Sequence, residues 1–290
     1  AGHPNDPDYE KACAAAAYEK VAPWRILAIT FTNKAAGELK DRLETMLGAQ
    51  AADIWASTFH SACVRILRRD VERLGYPSSF TIYDTSDSQS VMKHILKDFN
   101  LDEKMFPYRA VLAEISRAKD AGLTPEQYIA RATASGDVRK KRIGELYQEY
   151  WKRLFAAGAM DFDDLIYNTV RLLEDFPEVC DYWQRKFQYV LVDEYQDTNY
   201  AQQEIVLQLT REHGRVCVVG DDAQSIYSFR GANIDNILDF QRKYDNTRLF
   251  KLEQNYRSTQ LIVEAANSLI RKNERQIRKD VFSENEQGER

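Results

Sequence analysis

Short apolar runs that alternate with helical segments constrain the fold of this 290-residue chain more than any other feature. Each run reads as a buried strand, because it is apolar, short and followed by a polar cluster. The predicted strands are residues 25–30, 53–57, 187–192, 215–220 and 248–252. The predicted helices among them are residues 34–47, 58–69, 198–211, 234–244 and 259–272. This alternation indicates a mostly parallel sheet covered on both faces, so the sequence predicts an α/β fold.

The alternation stops between residues 84 and 158, where helical periodicity dominates and strand signals disappear. The helices predicted in this stretch are residues 86–97, 107–121, 124–133 and 138–157. We therefore expect an all-helical subdomain that is inserted into the α/β domain. Asp161 is predicted to cap the helix at which the alternation resumes, because acidic residues follow it in the first turn.

Composition limits the class of protein. The formal net charge of −5 argues against a histone-like nucleic-acid binder, but it leaves room for a local DNA-binding patch. No run of the sequence approaches the roughly 18 apolar residues that span a bilayer, so no membrane partner is expected. Cys13, Cys63, Cys180 and Cys217 lack CxxC spacing, so we expect neither disulfides nor zinc, and a cytoplasmic location. Cys217 lies in an apolar run and is predicted to be a small core residue.

Two adjacent carboxylates, Asp193 and Glu194, follow the apolar run 187–192 directly. An aspartate in this place can bind Mg²⁺, and the neighbouring glutamate can accept a proton from an attacking water or orient it. An isolated Asp-Glu pair is more often an exposed acidic turn. The position after a buried strand and before a Tyr-Gln-Asp sequence favours the magnesium and base roles.

A polar, aromatic and basic segment follows the strand predicted at 215–220. Gln224 can donate and accept hydrogen bonds, so it can sense a γ-phosphate or its attacking water. Tyr227 and Phe229 offer rings on which bases can stack, and Arg230 can bind phosphate. In the alternative interpretation, at least one apolar side chain of this segment packs in the core.

The segment 253–259 follows the last predicted strand and contains Tyr256 and Arg257. Arg257 can reach across a cleft as an arginine finger, and Tyr256 can stack on an adenine. Alternatively, Arg257 is simply exposed beside a helix N-cap at Ser258 or Thr259, and both interpretations can hold together.

Aromatic rings and small hydrogen-bonding side chains also follow the first two predicted strands. Phe31, Thr32 and Asn33 come after the first strand, with Asn33 placed to cap a helix. Thr58 and His60 come after the second. This combination suits base stacking and phosphate contacts with single-stranded DNA, although His60 can also be an ordinary polar loop histidine.

Six clusters, in this order and spacing, closely resemble the motifs of the superfamily 1A DNA helicases, the UvrD/Rep/PcrA group. From Trp24 onward, AITFTNKAA, STFHS, DFDDLI, VDEYQDTN, GDDAQSIYSFRGA and LEQNYRST resemble motifs Ia, Ib, Ic, II, III and IV. Each match alone is weak, but six in order make a chance resemblance negligible. The resemblance implies a RecA-like motor domain at residues 1–84 and 161–246, a helical insertion at 85–160, and the start of a second motor domain at 247–290.

The resemblance also implies an ATP-dependent 3′→5′ helicase that translocates on single-stranded DNA, acts at single/double-strand junctions and hydrolyses Mg²⁺-ATP. By motif position, Asp193 looks like the magnesium ligand and Glu194 like the catalytic base. Gln224 looks like the γ-phosphate sensor, Arg257 like the arginine finger and Tyr256 like the adenine-stacking ring. At Phe229 the family usually has Trp, and Phe can still stack with less area. The residues that fall where the family contacts DNA are Phe31, Thr32, Asn33, Thr58, His60, Tyr227, Phe229 and Arg230.

One motif of the family is missing from the sequence. No GxxxxGK[ST] P-loop occurs, so the lysine and the backbone amides that cradle the β-phosphate are absent. Because Glu194, Gln224 and Arg257 are retained, we expect truncation and not natural loss, and negligible ATPase for this chain by itself. Since the P-loop strand is normally central in the family's sheet, we expect a gap with exposed apolar surface, through which the chain self-associates or swaps elements.

Two other functions are compatible with these motifs. One is a non-hydrolysing DNA-binding or scaffolding module that retains the helicase fold. The other is a subunit of a helicase–nuclease of the same superfamily. A P-loop encoded directly upstream would favour the helicase over the scaffold, and a carboxylate-rich C-terminal nuclease domain would favour the helicase–nuclease.

Overall fold

The computed structural model describes residues 21–225 and 232–289, and a parallel sheet forms its centre. The strands are β1 (Ile26–Thr30), β2 (Trp55–Thr58), β3 (Thr81–Ile82), β4 (Ala159–Met160), β5 (Tyr189–Val192) and β6 (Val216–Val218). The main sheet has the order β2-β1-β5-β6, and every neighbouring pair is parallel. β3 and β4 pair in parallel as a separate small sheet. The predicted α/β fold with a parallel sheet is confirmed.

Helices connect the strands and cover the sheet. In the described residues they are α1 (Asn33–Leu47), α2 (Phe59–Asp70), α3 (Thr85–Asp98), α4 (Tyr108–Asp120), α5 (Pro125–Ala134), α6 (Val138–Ala156), α7 (Phe162–Asp175), α8 (Pro177–Lys186), α9 (Tyr200–Thr210), α10 (Asp235–Leu238) and α11 (Gln260–Ile270). Asp161 caps α7 as predicted, with its side chain accepting from the Asp164 N–H. Thr32 and not Asn33 caps α1, because Asn33 already belongs to the first helical turn. Across the same ranges, no helix is long and apolar enough to cross a membrane.

The two faces of the main sheet pack against different helices, because successive side chains of a strand point to opposite sides. Leu27 and Ile29 of β1 point into the main core, which α2, α7 and α9 also line. Ala28 points to the opposite face, where Leu39 and Leu43 of α1 pack. Helix α1 lies over β1 and β2.

Among residues 21–225 and 232–289, no element covers the face of β5 and β6 that lies opposite the main core. Leu191 and Cys217 are neighbours in the strand register, and both are exposed, as is Val219 beyond β6. The prediction of Cys217 as a core residue is therefore wrong, because the residue lies on the uncovered face of its strand. The predicted gap inside the sheet is also wrong, since β1 pairs directly with β2 and β5. The exposed apolar surface lies instead at the β6 end of the sheet.

Helices α3 to α6 lie at the positions predicted for the all-helical insertion and share a core of their own. Met92, Ile115, Tyr147 and Tyr150 are among its fully buried members. The chain enters and leaves this region through β3 and β4, and the pairing of these strands brings the two ends of the region together. Helix α4 packs on α7 and α9, so the region rests on helices that cover the main sheet.

The structure differs from the sequence-based prediction in three other places. Residues 248–252 form no strand, and Leu252 is 87% exposed. An apolar run becomes a strand only where a neighbour completes its hydrogen bonds, and no described strand pairs with this run. The helix predicted at 234–244 is broken into α10 and a 3₁₀ turn at Phe240–Arg242. Neither α8 nor the two-residue strands β3 and β4 had been predicted.

Candidate functional site

Four strands deliver predicted site residues to one edge of the main sheet. These residues lie at 31–33 after β1, at 58–60 where β2 ends, at 193–194 after β5 and at 220–224 after β6. Because the strands are parallel, their carboxyl ends lie on the same side, which is where α/β folds bind ligands. The Asp193 N–H donates to the Ile29 carbonyl and the Tyr195 N–H to the Val219 carbonyl, both at 2.9 Å. Backbone hydrogen bonds therefore hold these loops together.

Asp193 and Glu194 project from the end of β5, and both side chains are exposed. The Glu194 N–H donates to Asp193 Oδ1 at 2.9 Å, which orients the aspartate. Glu194 has a φ of 50°, in the left-handed region that residues other than glycine rarely adopt. Such a conformation persists only where the surrounding structure enforces it, and it is frequent at active sites.

A chain of hydrogen bonds joins the loop after β5 to the loop after β6. Gln196 Nε2 donates to Glu194 Oε2 at 2.7 Å, and the Asp221 N–H donates to Gln196 Oε1 at 3.0 Å. Gln224 Nε2 donates to Asp221 Oδ2 at 2.8 Å. The predicted base and the predicted phosphate sensor therefore belong to one network. The sequence had not singled out Gln196, although its place two residues after Glu194 in the same motif was a usable signal.

Lys279 connects the segment near the end of the chain to the loop after β6. Its ammonium contacts Asp221 Oδ1 and lies 2.9 Å from Asp222 Oδ1, and the Ile277 N–H donates to Asp222 Oδ2 at 2.9 Å. Burial raises the pKa of Asp221, but hydrogen bonds from Lys279 and Gln224 outweigh it and hold that pKa below its usual value. Lys279 lies in a charged stretch without a motif, so no sequence signal pointed to it.

Tyr256 and Arg257 lie in a loop that the side chain of Asn255 holds. Asn255 Oδ1 accepts hydrogen bonds from the N–H groups of Arg257 and Ser258, at 2.9 and 2.8 Å. Tyr256 is 79% exposed, and Arg257 is exposed as well. Within the described ranges, no hydrogen bond joins either side chain to Asp193, Glu194 or Gln224. Thr259 precedes α11 as its N-cap residue, without a capping bond from its side chain.

The carboxylates after β5 offer oxygen atoms of the kind that bind Mg²⁺, but they do not by themselves form a complete metal site. Asp193, Glu194 and Asp197 supply oxygen, the ligand type that Mg²⁺ prefers, and Asp197 Oδ1 is buried without a hydrogen-bond partner. Burial, and then the charge of Glu194, raises the pKa of Asp197, and a nearby cation would offset both effects. The described residues include no group of three His, Cys, Asp or Glu that could hold a metal. An ion here therefore needs further ligands from phosphate or water.

The residues predicted to contact DNA surround the N-termini of α1 and α2. Thr32 Oγ1 and Thr58 Oγ1 accept the capping bonds of these helices, at 3.1 and 3.3 Å, so the hydroxyl groups already have a structural partner. Phe31 packs edge-on against Phe59, with ring centroids 5.6 Å apart, and is half-buried. Asn33 is exposed in the first turn of α1. The predicted residues Tyr227, Phe229 and Arg230 lie outside the residues that the structure describes.

His60 lies in the first turn of α2 and packs edge-on against Phe162, with ring centroids 5.9 Å apart. Burial lowers the pKa of His60, and the charge of Asp163 offsets this only in part. The imidazole is therefore neutral at pH 7 and can contact a nucleic acid as a hydrogen-bonding ring without charge.

A buried ionic cluster joins helices α4 and α6 to the start of α7. Lys119 at the end of α4 is 2% exposed, and its ammonium lies 2.7 Å from both Asp161 Oδ2 and Asp164 Oδ1. The Tyr150 hydroxyl donates to Asp161 Oδ2 at 3.0 Å. Burial and the charge of Asp161 raise the pKa of Asp164, because two carboxylates share one cation. The sequence predicted Asp161 only as a cap, since the contact with Lys119 spans 42 residues.

The sequence is similar to that of a known protein family and of several named proteins. The family profile described as UvrD/REP helicase N-terminal domain matches residues 10–245. The chain is 50% identical over 272 residues to the ATP-dependent DNA helicase PcrA of Bacillus subtilis (strain 168). It is 47% identical over 270 residues to the ATP-dependent DNA helicase PcrA of Staphylococcus aureus (strain Mu50 / ATCC 700699). These alignments cover 94% and 93% of this chain but 36% and 37% of the relatives, so the chain spans about a third of their length.

Proposed function

Because this chain belongs to the UvrD/REP helicase N-terminal domain family, we propose that it forms part of the motor of an ATP-dependent DNA helicase. The proposed enzyme moves 3′→5′ on single-stranded DNA, acts at single/double-strand junctions and unwinds duplex. The printed names of the relatives support ATP dependence and action on DNA for this family. A reducing cytoplasm is the proposed location, in keeping with free thiols at Cys63, Cys180 and Cys217.

One observation carries the proposal: the hydrogen-bond chain from Glu194 through Gln196 and Asp221 to Gln224 at the carboxyl ends of β5 and β6. Bound Mg²⁺-ATP would supply the phosphoanhydride bond that the enzyme cleaves. Asp193 would bind the magnesium ion, and Glu194 would accept a proton from the attacking water at its free Oε1. Gln224 would sense the γ-phosphate with its exposed amide.

The proposed roles of Arg257 and Tyr256 rest on their exposure beside the segment that Lys279 holds against the loop after β6. An exposed guanidinium is free to approach a phosphate as an arginine finger, and an exposed phenol ring is free to stack on an adenine. We assign residues 1–84 and 161–246 to the first motor domain and 247–290 to the start of the second. Residues 85–160 form the proposed insertion, and the separate core of α3 to α6 supports this division.

Single-stranded DNA is proposed to run along the carboxyl edge of the main sheet, over the N-termini of α1 and α2. Helix N-termini attract phosphate, and the half-buried rings of Phe31 and His60 offer faces to bases. Thr32, Asn33 and Thr58 would contribute backbone and side-chain hydrogen bonds. Tyr227, Phe229 and Arg230 remain predicted DNA contacts on the loop after β6.

The test replaces Glu194 with Gln in the complete protein that the gene encodes. DNA-stimulated ATPase and unwinding of a 3′-tailed duplex should fall by about a hundredfold or more, because the general base is lost. Single-stranded DNA binding should persist, and wild-type protein should leave a 5′-tailed duplex intact. Glu44→Gln, on an exposed residue of α1, is the matched control. Unchanged ATPase in Glu194→Gln would refute the assignment of the base.

A further inference from the structure

Gln196 is a buried residue whose amide is used at both ends. It is 1% exposed and lies in the 3₁₀ turn Tyr195–Asp197, directly behind the exposed Glu194. Its Nε2 donates to Glu194 Oε2 at 2.7 Å, and its Oε1 accepts from the Asp221 N–H at 3.0 Å. The backbone carbonyl of Gln196 also accepts a hydrogen bond from Ser225 Oγ at 3.3 Å. One buried side chain therefore bridges the loops that follow β5 and β6.

Gly220, which has no side chain, lies directly against the amide of Gln196. A Cβ atom on Gly220 would lie 2.5 Å from Gln196 Oε1 and 2.7 Å from Ile237 Cδ1. Any larger residue at this position would displace the amide that accepts the Asp221 bond. Gly220 therefore leaves the space that the Gln196 amide occupies.

The bridge controls the orientation of the Glu194 carboxylate. Within the described residues, the bond from Gln196 is the one side-chain hydrogen bond that this carboxylate receives. Without such a bond, the side chain of an exposed glutamate samples several rotamers, and fixing one of them costs conformational entropy. The bond from Gln196 offsets this cost and favours one orientation of the carboxylate. The bond engages Oε2 and leaves Oε1 open to a water. A neutral amide donor suits a general base, because it orients the carboxylate without adding a full charge beside it.

At neutral pH an amide can make both bonds at this length without a change of protonation state. An ionised glutamate could accept from Asp221 but could not donate to Glu194, and a methionine of similar shape could do neither. The network continues to Gln224, whose Nε2 donates to Asp221 Oδ2 at 2.8 Å. The position of Asp221 therefore affects both the Glu194 carboxylate, through Gln196, and the Gln224 amide.

We propose that Gln196 is a positioning residue that holds the Glu194 carboxylate in a fixed position relative to the loop after β6. This inference rests on the proposed function, in which Glu194 is the base and Gln224 the sensor. It assigns Gln196 the task of holding the base and the loop that carries the sensor in one fixed arrangement.

The test compares Gln196→Met and Gln196→Glu in the complete protein with wild type. For both variants at neutral pH, DNA-stimulated kcat should fall by about a hundredfold, the loss typical of a misplaced catalytic group. The KM for ATP and the affinity for single-stranded DNA should stay unchanged. Gln208→Glu is the matched control, because Gln208 is also buried and donates to a glutamate, Glu204, at 2.8 Å.

The split between kcat and KM separates positioning from mere support of the fold. A residue that only supports the fold should, when replaced, weaken ATP binding, DNA binding and thermal stability together. Loss of a positioned base should lower kcat and leave the KM for ATP and the affinity for single-stranded DNA unchanged.

Three results would overturn the inference. They are unchanged kcat in both variants, losses of DNA affinity and thermal stability as large as the loss of kcat, and a loss of kcat in the Gln208→Glu control as large as in the Gln196 variants. The Glu194→Gln variant distinguishes the two levels of the proposal. If Glu194→Gln abolishes hydrolysis but the Gln196 variants do not, the positioning role fails and the proposed function stands. If Glu194→Gln is fully active, the proposed function fails first.

Discussion

Replacement of Lys119 with methionine should destabilise the contact between α4 and the start of α7. The Lys119 ammonium lies 2.7 Å from both Asp161 and Asp164, and all three groups are buried. Methionine fills similar space without charge, so two carboxylates lose their shared cation. Removal of one partner from a buried ion pair typically costs about 3–5 kcal/mol, and we expect a loss in this range. The measurement is hydrogen exchange of the α4 and α7 amides, because it reports local opening free energies in a large protein.

The loss should also depend on pH with a definite sign. Without Lys119, the folded-state pKa values of Asp161 and Asp164 rise above their unfolded values, because burial disfavours the charged forms. The protonated carboxyls then favour the fold at low pH, and this contribution disappears as pH rises through the folded-state pKa values. The defect of Lys119→Met should therefore shrink as pH falls from about 8 to 5.

Two controls make this reasoning refutable. Lys152→Met removes an exposed lysine of α6 and should change the opening free energy by about 0.5 kcal/mol or less. Addition of Asp161→Asn and Asp164→Asn to Lys119→Met should restore most of the stability, since no unpaired charge remains and Asn still caps α7. If Lys119→Met costs no more than Lys152→Met, or if its cost is independent of pH, the account of the cluster is wrong.

Three further perturbations test other parts of the structure. Burial, followed by the charge of Asp163, raises the pKa of Asp120 to about 7. The protonated form of Asp120 therefore favours the folded state at low pH, and this stabilisation is lost as pH rises from about 4 to 7. Asp120→Asn should flatten the stability profile in that window, by up to about 1.4 kcal/mol per pH unit, and an unchanged slope would contradict the assignment. The 290-residue chain alone should bind single-stranded DNA less tightly as the salt concentration rises, and ATP should not change this binding. The same chain should show negligible ATPase activity. DNA binding that responds to ATP would reveal a nucleotide site despite the missing P-loop. Because Leu191 and Val219 expose an apolar face next to β6, the same chain should self-associate in sedimentation experiments, and Leu191→Lys with Val219→Lys should shift it toward monomer. Leu269→Lys, at another exposed leucine, is the control, and a wild-type chain that sediments as a monomer would count against this expectation.

Features that depend on a few neighbouring residues could be predicted from the sequence. The four strands of the main sheet are apolar runs that end in polar clusters. Their existence and their positions along the chain were therefore predictable without knowledge of their partners in the sheet. The Asp161 cap was predictable for the same reason, because its acceptor and the N–H it binds lie three residues apart. The parallel arrangement then follows from the alternation with helices, and it brings Asp193 and Gln224 to the same edge.

Features that depend on distant partners were decided only by the tertiary structure. The bond between Gln196 and Asp221 spans 25 residues, that between Lys119 and Asp161 spans 42, and no local pattern encodes either pairing. Residues 248–252 have the apolar content of a strand but no strand beside them, and Cys217 sits in a strand whose one face is uncovered. Local sequence determines what a segment can become, whereas burial and hydrogen-bond partners depend on which segments the fold brings together.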